Sequence, residues 1–132
     1  MSLYHIYADH NELLRKGHEL VDKFDEFTKV LKNKSGFNTL QKARIIENYM
    51  NIHFWHEEHI QASHYYKDMS KHINDHLSIS AALKNFITAL ELNLITSDDI
   101  DYFEEKIVAP FKKHFTYDDK KFMSYINTKE AI

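Results

Sequence analysis

Tyr49-Met50-Asn51-Ile52-His53-Phe54-Trp55-His56-Glu57-Glu58 decides how the chain reads. On a helix of 3.6 residues per turn, His53 and Glu57 fall one turn apart on one face. The same face runs back through Met50, Tyr49, Ile46, Ala43 and Leu40 and forward to Ile60. An imidazole and a carboxylate therefore lie on the apolar stripe expected to face a core.

The helical period repeats on either side of this stretch. Ile6, Leu13, Leu14, Leu20, Val21, Phe24, Phe27 and Leu31 predict a first helix from about Leu3 to Leu31. Lys32-Asn33-Lys34-Ser35-Gly36 interrupts it, and Gly36 suits a left-handed turn. The second helix then begins between Ser35 and Asn38, with Ser or Asn as N-cap. Ser63 to Asp68 reads as a polar, tyrosine-bearing connection. A third helix follows from about Met69 to Leu92, with His72, His76, Ile79, Leu83, Phe86, Ile87 and Leu90 in phase. Thr96-Ser97-Asp98-Asp99 opens the fourth helix, with Ser97 or Asp98 as N-cap. Its inner face is Ile100, Phe103, Ile107, Phe111 and His114, and Pro110 should bend it. Four amphipathic helices with short connections and no strand predict an all-α, up-down-up-down four-helix bundle, one domain over residues 1–132.

Composition removes several kinds of chemistry. There is no cysteine, so disulfides, thiolate metal sites and cysteine nucleophiles are excluded. Two glycines and one proline leave no material for Gly-rich phosphate loops. A net charge of -3 gives no basic footprint for nucleic acid. No apolar run approaches the ~18 residues of a membrane span, and no signal peptide opens the chain. The expectation is a cytoplasmic protein with neither a membrane nor a nucleic-acid partner. What stands out is 10 histidines in 132 residues.

Phase sorts these histidines. His53 with Glu57, His72 with His76, and His114 fall on the inner stripes of three different helices. His56, His59 and His64 fall off the stripes or near a connection and read as surface residues. Five polar groups aimed into a core are costly unless satisfied, and an unpaired buried carboxylate takes up a proton instead. Metal ions resolve this, because imidazole and carboxylate suit Fe, Mn and Zn, and bundle cores hold di-metal sites built from facing helices. The competing reading is a core of mutually hydrogen-bonded histidines.

The same residues resemble the hemerythrin family of non-heme di-iron, oxygen-binding bundles over nearly the whole chain. Tyr49 through Glu58 is similar to that family's Y-x-x-x-H-F-x-x-E-E. Tyr66 followed by His72-Ile73-Asn74-Asp75-His76 is similar to its Y-x5-H-x-x-x-H. His114-Phe115-Thr116-Tyr117-Asp118-Asp119-Lys120-Lys121-Phe122 is similar to its H-I-x-x-x-D-K-K-Y. The resemblance implies five histidine ligands and two bridging carboxylates around two iron ions with an oxo or hydroxo bridge. His53, His72, His76 and His114 map to terminal imidazoles, and Glu57 maps to one bridge. Asp119, five residues after His114, maps to the other bridge and is preferred because Lys120-Lys121-Phe122 follows it. Asp118 is the alternative, four residues on and better in phase on a straight helix. For the first helix, His10 is the candidate beside Leu13-Leu14, and it needs a helix about two turns longer than usual; His18 is the alternative.

The function implied is reversible O2 binding in a carrier, storage or sensing protein rather than an enzyme. Azide or nitric oxide would take the same open iron position, and a monomer is expected. Leu13, Phe54, Ile107, Phe111 and Phe115 are candidates to keep the pocket apolar, and Tyr49 is read as the one inward group with a proton to give. Two other classes stay open. One is a di-iron oxidase, or a protein handling peroxide, nitric oxide or damaged iron clusters. The other is a helical interaction domain with incidental histidines.

Overall fold

The periodic apolar residues become four helices packed in chain order. A computed structural model describes residues 10–33, 38–93 and 95–130, with side chains over 11–33, 38–93 and 95–126. Helix α1 is His10–Lys32, α2 is Thr39–Ser63, α3 is Met69–Glu91, and α4 spans residues 97–130. α1 packs on α2, α2 on α3, α3 on α4, and α4 back on α1, the closed order of an up-down bundle. There is no strand among the described residues, and no described helix is long and apolar enough to cross a membrane. The expected start at Leu3, with Ile6, and the Gly36 turn lie outside the described residues.

Helix ends follow local chemistry. Asn38 precedes α2 with φ 60°, a left-handed conformation that asparagine tolerates, and it makes no side-chain cap bond. α2 ends in a paired turn: Tyr65 N–H donates to the Ala62 carbonyl at 3.2 Å and Tyr66 N–H to the Gln61 carbonyl at 3.0 Å. Tyr65 holds the left-handed position that usually goes to glycine. This turn directs Tyr66 into the interior. α4 opens on a reciprocal cap, with Asp99 N–H donating to Thr96 Oγ1 and Thr96 N–H to Asp99 Oδ2. The N-cap is thus Thr96 rather than the expected Ser97 or Asp98, because the Asp99 side chain returns the bond to the Thr96 backbone.

α4 is not uniformly α-helical. It is π-helical over Glu104–Val108 and again over His114–Asp119, with α-helical segments between and after. Pro110 stands in the first turn after the first π segment. A proline clashes with the carbonyl four residues back, here Lys106, and that carbonyl lies within the widened π turn.

Two apolar clusters bracket the middle of the bundle. The larger gathers Phe24, Phe27, Phe54, Phe86, Phe103 and Phe111, and the smaller gathers Leu13, Tyr66, Phe122 and Ile126. Burying each phenylalanine contributes roughly 1.5–3 kcal/mol, so aromatic packing at these two levels carries much of the fold. The second π segment lies between the clusters, and so do the buried histidines.

Candidate metal centre

Three helices each bring polar side chains to one buried point. α2 supplies His53 and Glu57, α3 supplies His72 and His76, and α4 supplies His114 and Asp119; all six are buried. Their spacing explains the convergence. Residues four apart share a face on an α-helix, which places His53 with Glu57 and His72 with His76. Asp119 is five residues after His114, which on an α-helix would turn it about 140° away from that histidine. The π segment His114–Asp119 closes i→i+5 turns and brings the carboxylate back to the inner face. Asp119 is 5% exposed, whereas Asp118 is half-buried and pairs with Lys71 at 3.0 Å. The turn lies inside a helix that continues to Glu130, not at a helix end.

Glu57 is the hub. Its Oε1 lies 3.0 Å from His72 Nδ1, 3.0 Å from His76 Nε2 and 3.4 Å from His114 Nε2. Its Oε2 faces the other way, 3.9 Å from His53 Nε2. Asp119 Oδ1 is 3.0 Å from His114 Nε2 and 3.7 Å from His72 Nδ1. Two groups of converging donors result: Glu57 with His72, His76 and His114, and Glu57 with His53 and Asp119.

Outer carboxylates fix two of the rings. His76 Nδ1 lies 2.8 Å from Glu58 Oε2, and His114 Nδ1 lies 3.1 Å from Asp75 Oδ2 and 3.3 Å from Asp118 Oδ2. A ring that donates Nδ1–H outward turns the Nε2 lone pair inward. The two Nε2 atoms of His76 and His114 are 3.0 Å apart. Two lone pairs and a carboxylate oxygen at that distance suit a shared cation. Donors each about 2.1 Å from one ion and at right angles to each other stand about 3.0 Å apart.

The electrostatics of the metal-free cluster point the same way. Burial would raise the Glu57 carboxyl, but hydrogen bonds from His114, His72 and His76 hold it well below the usual range. Burial and the neighbouring Glu57 charge push Asp119 well above its usual value. Burial pushes His53 down to about 4, so it is neutral and ready to donate a lone pair. Burial also opposes charge on His114, but Asp119 and Glu57 outweigh it and hold that imidazole at about 11.

The side chain of His10, the first residue of α1, lies outside the described residues. His18 is exposed and meets the Phe115 ring edge-on, with centroids 4.8 Å apart. Phe54 stacks on His76 at 3.9 Å, while Ile107, Phe111 and Phe115 are buried in the large cluster and Leu13 in the small one. Tyr49 is 44% exposed beneath the Lys23 ammonium, not inward. The α2 stripe centres on Met50, His53, Phe54 and Glu57, which leaves position 49 at its edge. His56 is 3% exposed, not a surface residue. α2 is covered by both α1 and α3, so its buried face is wider than a single stripe. His59 is exposed and His64 half-buried, with one ring stacked on Trp55 in the case of His59. Gln61, fully buried with Nε2 2.7 Å from His72 Nδ1, was not singled out, although it continues the four-residue series of His53 and Glu57. Nor were Glu58 and Asp75, which lie off the stripes and carry no such periodic signal.

No family model, curated protein or solved structure matches the chain.

Proposed function

We propose that the chain is a hemerythrin-like, non-heme di-iron protein that binds O2 reversibly. The observation that carries this reading is Glu57, whose two oxygens face two different sets of nitrogen and oxygen donors in a buried site. A carboxylate so placed suits a bridge between two ions. Imidazole and carboxylate donors placed to serve two ions in a bundle core suit iron or manganese. Iron would supply electron transfer to bound O2.

The rest of the task falls to the chain. His72, His76 and His114 would hold one ion together with Glu57, and His53 would hold the other together with Glu57 and Asp119. Glu58, Asp75 and Asp118 orient rings and make them better donors. Phe54, stacked on His76, and the apolar clusters above and below exclude water. This favours binding and release over turnover, since acid and base groups at the site are occupied as ligands. The fully buried position also suits a small gas molecule more than a bulky substrate.

The test is anaerobic loading with ferrous iron followed by cycles of O2 and vacuum. A visible band that forms with O2 and disappears on its removal supports the reading, and azide should compete at the oxidised site. Steady O2 consumption with no stable oxygenated species moves the protein to the oxidase or peroxide-handling class.

A further inference from the structure

We infer that the two metal positions are unequal, because α1 contributes a packing wall rather than a ligand at the level of the site. This rests on the metal-centre reading above. The level of α1 is fixed from both sides. Phe24 packs on Phe111 with ring centroids 5.2 Å apart, and Leu13 shares the small cluster with Phe122. His114 and Asp119 fall between Phe111 and Phe122, so the α1 residues that face the site fall between Leu13 and Phe24. The buried residues of α1 in that interval are Gly17 and Leu20, and neither has a donor side chain.

Gly17 is where a ligand side chain would project, and Phe115 fills the space. A Cβ at position 17 would stand 2.3 Å from Phe115 Cε1. His18 is exposed and meets the same ring in a T-shaped contact. His10 lies seven residues beyond Gly17, about 10 Å along the helix axis, past Leu13 and away from the site.

One ion would therefore be held by three imidazoles with Glu57, and the other by His53 with Glu57 and Asp119. An ion held there would have fewer protein donors than its neighbour. It would bind more weakly and exchange first. His53 is the residue that defines its affinity.

Anaerobic calorimetric titration of the whole chain with ferrous iron tests this, with circular dichroism to check that each variant folds. Two steps are expected, the second weaker by roughly tenfold or more, as for loss of one donor. His53→Ala should abolish the second step and retain the first. His10→Ala and His18→Ala should leave both steps unchanged. Two equal steps, or loss of the second step in His10→Ala or His18→Ala, overturns the inference while leaving the metal centre intact. No binding in the unsubstituted protein overturns both.

Discussion

Gly17→Ala puts opposing physical effects against each other in one substitution. Glycine inside a helix costs about 1 kcal/mol relative to alanine, so at a free position the change stabilises. At Gly17 the new methyl would meet Phe115 Cε1 at 2.3 Å and Cδ1 at 2.8 Å. Ordinary contact begins near 3.4 Å, so the ring must retreat by about 1 Å. It has little room, being 4% exposed, parallel to Phe111 and edge-on to His18. Overpacking of this kind costs roughly 1–3 kcal/mol, which outweighs the helix propensity gain. The expected net loss is about 1 kcal/mol, or roughly 3–5 °C in Tm for a domain of this size. Because Phe115 follows His114 in the π segment, the retreat also displaces a metal donor and lowers metal affinity. Urea unfolding of Gly17→Ala, Phe115→Leu and the double variant reads the effect. The double variant should be less destabilised than the sum of the singles, by about 1 kcal/mol. If Gly17→Ala stabilises by about 1 kcal/mol and shows no coupling to Phe115, the close approach of α1 and α4 is refuted.

Glu57→Ala or His72→Ala should remove bound metal, whereas His64→Ala should not; equal loss in all three, read by elemental analysis, would contradict the placement of the centre. Glu58→Gln should lower metal affinity by about 10-fold through the His76 ring it orients, measured by chelator competition, with no change in helical content. Metal-free stability should carry a His53 signature. Its folded pKa, about 4, lies below the unfolded value of 6.5, so the unfolded chain gains a proton first as pH falls. The stability present above pH 6.5 is then lost on descending to pH 4, by about 3 kcal/mol. The difference between the unsubstituted chain and His53→Asn isolates this from Asp119, which responds in the opposite sense. A difference that stays constant over that pH range would refute the burial of a neutral His53.

The sequence carried the bundle because four separate stripes at helical period require it, and His53/Glu57 and His72/His76 were legible because four-residue spacing maps onto one face. Asp119 was harder. Its five-residue offset is out of phase on an α-helix, and only the π segment reconciles it; the Lys120-Lys121-Phe122 that follows supported it by resemblance, not by phase. His56 and Tyr49 were misread for one reason: a stripe drawn from one period is too narrow for a helix covered on two sides and too blunt at its edge. Glu58 and Asp75 act on rings of other helices, so no spacing within their own helix shows them. Gly17 is opaque for a similar reason, since only the approach of Phe115 from α4 gives a glycine in mid-helix a purpose.

The central claim is that this buried cluster holds two iron ions and that O2 binds there reversibly. Iron analysis combined with absorption spectra through an O2–vacuum cycle tests it most directly. The account predicts two iron ions per chain and a visible band that comes and goes with O2 while the iron content stays constant. A chain that retains no iron under anaerobic loading, or iron that gives no reversible band, would contradict it.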